Sequence, residues 1–175
     1  MNYVKSIKVL LISIVLIISS CGTDDETSNN IITFNGGQFR LYRGYQYKYS
    51  STIPETGSTP FVVMLLGDGV SYDQSSSVLS GTGSLISFYM YSETDAEIKQ
   101  GDYTIDIFSK KPIFSADSCF ILYNYDFSQD TGKLFNIKGG TFSVKNLGSV
   151  MSYEISLVTD TILFKGDFKG PIQTL

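Results

Sequence analysis

The sequence predicts an all-β protein, and three observations lead to that prediction. After residue 30, β-branched and aromatic residues are concentrated in short segments that Gly, Asn, Asp and Ser separate. Several segments alternate apolar and polar residues, as a strand with one buried face does. Turn signals recur at intervals of roughly 8 to 12 residues, as in antiparallel sandwiches and barrels. We therefore expect an antiparallel β-sandwich of the jelly-roll type, with a closed, up-and-down, lipocalin-like β-barrel as the alternative.

Residues 31–175 are expected to form a single β domain, because a chain of this length can bury roughly 70% of its unfolded surface. The segment from Glu93 to Gln100 is interpreted as one helical turn or a charged loop, and Pro112 argues against a central strand after Lys110. The expected strands are Ile31 to Asn35, Gln38 to Arg43, Tyr45 to Ser51, Phe61 to Leu66, Ser84 to Ser92, Tyr103 to Phe108, Cys119 to Asp126, Phe135 to Ile137, Thr141 to Lys145, Met151 to Thr159 and Ile162 to Phe168.

The last three predicted strands have the clearest pattern. Apolar and polar residues alternate in them, as Tyr153, Ile155 and Leu157 do with the residues between them. The connections at 146–148 and 159–160 are short enough for hairpins. These strands are therefore predicted to form a meander with one solvent-facing side.

Three central segments are instead apolar at consecutive positions: FVVMLL at 61–66, LISFYMY at 85–91 and CFILYNY at 119–125. Strands of this kind are covered on both faces. The covering layer is either a second sheet with a packed loop or a ligand. Tyr89 and Tyr91 share the face that does not fill the core, and they would form a tyrosine-rich surface.

The N-terminus is organised like an export signal. Two lysines precede an apolar run from Val9 to Ile18, and two small serines then lead directly to Cys21. This run is about half of the roughly 20 residues that a membrane-spanning helix needs. We therefore expect residues 1–20 to be a cleaved signal peptide.

The order Ile18-Ser19-Ser20-Cys21 resembles the lipobox of bacterial lipoproteins. The resemblance implies that the Cys21 thiol takes a diacylglyceryl group and that Cys21 becomes the acylated first residue after cleavage. Two or more acyl chains anchor a protein stably, since each buried methylene contributes about 0.8 kcal/mol. The alternative is an ordinary secretory signal in which the cysteine is incidental.

Residues 21–30 are predicted to carry the lipid on Cys21 and to form a flexible acidic tether. Gly22 to Asn30 contains no apolar residue and includes Asp24, Asp25 and Glu26. An acidic cluster behind a lipidated cysteine resembles the surface-export signals of Bacteroidetes lipoproteins, while a solvated spacer explains the same charges.

The layout of the whole chain resembles that of small envelope lipoproteins of Bacteroidetes. The resemblance rests on the lipobox, the tether, GDYTI at 101–105 and the closing segments GGTFSVKN, MSYEISLV and FKGDFKG. It implies a lipid-anchored protein of the bacterial outer membrane, on the cell surface or else on the periplasmic face.

Composition excludes several chemistries. The chain has no histidine, which excludes Ser-His or Cys-His nucleophiles and histidine-ligated metals. It carries 13 basic and 17 acidic residues without a basic cluster, which argues against a nucleic-acid partner. Cys119 lies in an apolar run and is expected to be a buried structural thiol. No catalytic or cofactor motif is recognised, so we expect a non-enzymatic protein without a cofactor.

The candidate ligand-binding residues are clustered between positions 40 and 49. Tyrosine rings can stack on the apolar face of a pyranose while hydroxyl and guanidinium groups hydrogen-bond its edges. Tyrosines on one face of a strand are, however, also typical of a hydrophobic core in which the tyrosine hydroxyls lie at the edge. The sequence leaves both interpretations open for Arg40, Tyr42, Arg43, Tyr45, Tyr47 and Tyr49.

Asp68 and Asp73 flank an oxygen-rich loop, GDGVSYD. Loops of this kind sometimes hold calcium, but the EF-hand spacing is missing. Asp68-Gly69 is also a common turn signal. We therefore expect a turn and predict no metal site.

Three functions are compatible with these observations. The first is a non-enzymatic binding module at the envelope for a glycan, peptide or protein ligand. The second is a structural or accessory subunit of a surface assembly, in which another protein completes an exposed strand face or edge. The third and least favoured is a carboxylate-based hydrolase.

Overall fold

The computed structural model describes residues 29–94, 96–108 and 110–175 of the chain. The predicted signal peptide, Cys21 and the tether up to residue 28 lie outside the described residues. The all-β prediction is confirmed. In the described part of the chain, no helix is long and apolar enough to cross a membrane.

The strands are β1 (Ile31–Phe34), β2 (Gly37–Lys48), β3 (Thr59–Gly67), β4 (Val70–Asp73), β5 (Val78–Ser92), β6 (Gly101–Ile105), β7 (Ser115–Asp126), β8 (Thr131–Asn136), β9 (Gly139–Asn146), β10 (Met151–Val158), β11 (Leu163–Gly170) and β12 (Ile172–Thr174).

Nine of these strands close into a barrel, so the predicted sandwich is wrong and the barrel alternative is confirmed. Around the wall the order is β1, β2, β3, β5, β7, β6, β9, β10, β11 and again β1. The ring closes because β5 pairs with both β3 and β7, and β1 pairs with both β2 and β11. Closure satisfies the backbone groups that the edges of two stacked sheets would leave open.

One pair of neighbouring strands in the ring is parallel. Nine strands in a ring cannot all alternate in direction, so at least one parallel pair is required, and β6–β7 is that pair. Residues 106–114 make the crossover between these two strands, and Pro112 lies in it rather than in a strand. The strand order therefore departs from a simple up-and-down barrel.

Side chains fill the barrel interior. Four aromatic side chains are fully buried there: Phe88, Phe142, Tyr103 and Tyr153. The ring centroids of Phe88 and Phe142 are 4.4 Å apart, and the ring of Tyr103 stacks on that of Phe142 at 5.2 Å. Cys119 lies in the same core, which confirms its expected burial, and desolvation raises the pKa of its thiol well above the usual value. The interior is therefore a packed core, as in small barrels that hold no ligand.

The core tyrosines predict how stability depends on pH. Burial raises the pKa of Tyr103 from 10.0 to about 12, and it also raises that of Tyr153. In the unfolded chain these phenols ionise near pH 10.0, so their contribution to stability is complete below that pH and is lost as the pH rises through the folded value. We expect a cooperative loss of the β-sheet circular dichroism between about pH 10 and 12, together with tyrosinate absorbance. A native spectrum that persisted after both phenols had ionised would contradict this expectation.

The predicted closing meander is confirmed. β9, β10 and β11 pair antiparallel in order, and Phe142, Tyr153 and Phe168 belong to the barrel core. β1 packs so closely on β11 that a β-carbon at Gly166 would clash with the carbonyl oxygen of Ile31. Glycine is therefore required where the ring closes.

Replacing Gly166 with alanine is expected to push β1 away from β11. Gly139 is a matched control, because a β-carbon there would make an ordinary 3.6 Å contact with Val158. We expect Gly166→Ala to lower the free energy of unfolding by roughly 1–3 kcal/mol and Gly139→Ala to change it by about 0.5 kcal/mol or less. Urea denaturation measures both values. Equal midpoints for the two variants would show that the β1–β11 contact tolerates a methyl group.

Several strands differ from their predicted extents. β2 is one strand where two are predicted, β5 begins at Val78 instead of Ser84, and β6 ends at Ile105 instead of Phe108. The strands β4 and β12 lie outside the predictions. β5 is longer because its first part pairs with β4, which forms a hairpin beyond the barrel wall.

The hairpin of β4 and the first part of β5 packs on the outside of the barrel. All residues of β3 are buried. Alternate residues from Phe61 face the barrel core, and alternate residues from Val62 pack with Val70, Tyr72 and Leu79 of the hairpin region. Both faces of this segment are therefore covered, as predicted, and the covering layer on the outside is protein.

Candidate functional site

Glycines at the base of the hairpin let β5 bend over the barrel wall. β-Carbons at Gly81 and Gly83 would clash with the carbonyl oxygens of Gly69 and Asp68. Gly81 also has a φ of 91°, in the left-handed region that glycine tolerates best. The bend brings Tyr72 of the hairpin onto the outer face of β2, where its ring centroid lies 5.2 Å from that of Tyr45.

A β-bulge at residues 41–43 sets which side chains of β2 point outward. After the bulge, Gly44 faces the barrel interior and Tyr45 packs in the outer cluster with the hairpin. Tyr47 and Tyr49 follow Tyr45 at the strand period, so they share its outer face.

A groove of about 580 Å³ lies between the hairpin and β2. Met64 and Leu79 supply apolar surface to it, and Tyr47 and Tyr72 supply phenol rings. Its volume falls within the roughly 300–1,000 Å³ that is typical of small-ligand sites. We call this feature the tyrosine groove, and its lining residues are Tyr47, Lys48, Met64, Tyr72, Ser77, Leu79 and Leu175.

A tyrosine row beside the groove consists of the exposed Tyr49, the partly buried Tyr89 and the fully buried Tyr91. The ring centroids of Tyr49 and Tyr89 are 4.9 Å apart at 68°, and those of Tyr89 and Tyr91 are 5.8 Å apart at 62°. The Tyr91 hydroxyl donates a 2.6 Å hydrogen bond to Asp117, and the Lys111 ammonium lies 5.7 Å from the Tyr91 ring centroid. These contacts hold Tyr91 in place, whereas Tyr49 is 59% exposed.

The phenols of Tyr47 and Tyr89 have raised pKa values. Burial raises the pKa of Tyr47, and the nearby phenols of Tyr72 and Tyr49 raise it further. Burial likewise raises the pKa of Tyr89 to about 12, with smaller contributions from Tyr49, Asp117 and Tyr47. At neutral pH each of these two hydroxyls can therefore both donate and accept a hydrogen bond.

The structure places the three tyrosines of the predicted stripe in different environments. Tyr45 is only 7% exposed and belongs to the outer cluster, so the core interpretation applies to it. Tyr47 lines the groove and Tyr49 lies beside it in the tyrosine row. Tyr47 and Tyr49 stay candidates for ligand binding.

The other three predicted residues are not brought into the groove. Arg40, Tyr42 and Arg43 are exposed on β2 at or near the bulge, and none of them is among the groove's lining residues. The physical reason is distance along the strand: Arg43 pairs with Leu66 near the end of β3, four residues and roughly 13 Å from Tyr47, where the groove begins.

The hairpin side of the groove lies outside the predicted site. Tyr72, Ser77 and Leu79 come from β4, the turn after it and the start of β5. The sequence signal that could have found them is the alternation V-S-Y-D at 70–73, followed by the bend-prone SGTGS at 80–84.

Asp68 and Asp73 support turns, as predicted. Asp68 accepts a 3.0 Å hydrogen bond from the backbone N–H of Gly69. The Asp73 carboxylate accepts hydrogen bonds from Ser75 and Ser76, which lower its pKa. This second turn carries the chain from β4 into β5 at the rim of the groove.

Comparison with known proteins finds no matching family model, no similar curated protein and no similar solved structure. The chemistry of the groove therefore follows from its own residues. They offer ring faces, ring edges, neutral hydroxyls and apolar side chains, which are the contacts of non-covalent recognition.

Proposed function

We propose that this protein is a membrane-anchored envelope lipoprotein that binds a ligand at the tyrosine groove and catalyses no reaction. The observation that supports the proposal best is the groove itself, an open space lined by phenols and apolar side chains outside a filled barrel. The chain has no histidine, and no acidic side chain is among the lining residues that the structure describes. The groove thus offers contact surface without a carboxylate or imidazole base.

The anchor in this proposal is Cys21, and the connection to the folded domain is short. Asn30 joins the tether to the barrel wall, because its side chain accepts a 2.7 Å hydrogen bond from the Lys169 N–H and its carbonyl accepts one of 2.7 Å from the Leu41 N–H. The composition of Gly22 to Asn30 predicts a flexible tether, which would span roughly 15–18 Å. The groove would therefore be held close to the membrane and open to ligands in the surrounding medium.

Binding arrays test this function with the full-length protein in a detergent that has no sugar headgroup. The probes are an oligosaccharide array and a peptide array, and wild type is compared with Tyr47→Ala and Phe108→Ala. Phe108 is a control because its side chain is 90% exposed outside the groove. We expect binding on at least one array, a loss of about tenfold in affinity for Tyr47→Ala and no change for Phe108→Ala. Equal binding by Tyr47→Ala, or no binding to either array, would rule out the proposal.

A second candidate function is a structural or accessory subunit of a surface assembly. Leu134 of β8 is 55% exposed and lies opposite Leu122 of β7. β8 pairs with β7 on one side, and no strand of the described residues pairs with its other edge. A partner strand could add there. In that case Leu134→Asp would abolish the complex and leave array binding unchanged.

A further inference from the structure

We infer that the ligand of the tyrosine groove is a neutral oligosaccharide. This inference rests on the proposed binding function and names its ligand class. A pyranose ring combines apolar C–H faces with a rim of hydroxyls, so it fits aromatic faces that lie beside neutral hydrogen-bonding groups. The tyrosine groove, together with Tyr49 and Tyr89 of the tyrosine row, places both kinds of group on one surface.

Neighbouring tyrosine rings on this surface stand at steep angles. The rings of Tyr49 and Tyr89 meet at 68° with their centroids 4.9 Å apart. A pair at such an angle presents the face of one ring and the edge of the other to the same space. A sugar can therefore stack on the face while its rim hydroxyls approach the neighbouring phenol.

The described lining residues offer few charged partners to a ligand. Lys48 is the one charged side chain among the described lining residues. The hydroxyls of Tyr47 and Tyr89 are protonated at neutral pH, and burial moves the pKa of both further above it. These hydroxyls can exchange hydrogen bonds with sugar hydroxyls in either direction.

The barrel strands under the groove offer no free edge to an extended peptide. β3 pairs with β2 on one side and β5 on the other, and residues 44–46 of β2 pair with β12 on the side away from β3. A peptide that binds by strand addition needs an open edge. On the barrel side a ligand must therefore bind side chains, as a sugar can. Among the described strands β4 pairs only with β5, so its four residues leave a short free edge on the hairpin side, and the peptide probes below test it.

Titrations of the full-length protein in the same sugar-free detergent test the ligand class. The probes are neutral hexose oligosaccharides of increasing length, the same oligosaccharides bearing sulfate, and proline-rich peptides. We expect the neutral oligosaccharides to bind with an affinity that Tyr47→Ala lowers by about tenfold and that Phe108→Ala leaves unchanged. Tyr47→Phe keeps the ring and is expected to cause a smaller loss. The affinity should be the same at low and high salt, because the ligand carries no charge.

The outcomes separate this inference from the function on which it rests. Groove-dependent binding of peptides, or a preference for sulfated probes that high salt removes, would reject the neutral oligosaccharide and leave the binding function standing. Oligosaccharide binding that Tyr47→Ala does not weaken, or no binding of any probe, would reject both. Circular dichroism checks that each variant is folded. If Tyr47→Ala does not fold, the affinity of Tyr47→Phe is compared with that of wild type instead.

Discussion

Tyr45→Ala is expected to remove a large part of the protein's stability, whereas Tyr47→Ala is expected to leave the fold nearly unchanged. Tyr45 is 7% exposed, and its ring packs 5.2 Å from that of Tyr72. Truncating a buried aromatic side chain costs roughly 3–5 kcal/mol, against a total stability of roughly 5–15 kcal/mol for a domain. Tyr47 is partly buried and lines an open groove, so its truncation should cost about 1 kcal/mol or less.

Urea denaturation followed by circular dichroism measures both effects, since the chain has no tryptophan to serve as a fluorescent reporter. Tyr45→Phe is the matched control, because it keeps the buried ring and should retain most of the stability. Ligand binding should show the opposite order, with Tyr47→Ala more affected than Tyr45→Phe. If Tyr47→Ala lost as much stability as Tyr45→Ala, Tyr47 would be core and the groove would not be a free surface.

Cys21→Ser is expected to release the protein from the membrane. Serine has no thiol to carry the lipid that the lipobox resemblance implies. Two or more acyl chains, each contributing about 0.8 kcal/mol per buried methylene, would then be missing. The folded domain begins after the tether, so its circular dichroism and its urea midpoint should not change.

Cys119→Ala is the matched control for this variant, because the chain has only two cysteines and Cys119 is buried in the barrel core. Partition between aqueous and detergent phases measures anchoring, and mass spectrometry of the N-terminal residue identifies the lipid. Wild type and Cys119→Ala should enter the detergent phase, and Cys21→Ser should stay in the aqueous phase. Detergent-phase Cys21→Ser would show that the apolar run before residue 21 is itself the anchor.

Strand positions could largely be predicted because each depends on residues close together in the chain. The alternation of Tyr153, Ile155 and Leu157 places three side chains on one face whatever the shape of the sheet. Closure depends on distant pairs, such as Ile32 with Gly166 and Phe88 with Cys119. Sandwich and barrel require the same alternation, so the local pattern could not distinguish them and the sandwich prediction was wrong.

The candidate site could likewise be predicted only in part. The stripe of Tyr45, Tyr47 and Tyr49 is visible in the sequence, but its members have different burial. Tyr45 is buried beneath Tyr72, which reaches β2 because the chain bends at Gly81, whereas Tyr49 stays exposed. The residue pattern of each single strand does not show that the hairpin of β4 and β5 lies over β2.

The sequence by itself determined an all-β domain, a closing meander and a buried Cys119. These features follow from side-chain period and composition over a few neighbouring residues, and they do not depend on contacts with distant segments. Only the tertiary structure decided that the sheet closes on itself, that its interior is filled and that a groove lies between the hairpin and β2. The reason is that the free energies of closure and burial come from contacts between segments far apart in the chain. The side-chain period of a single strand does not specify which other strand it will pair with.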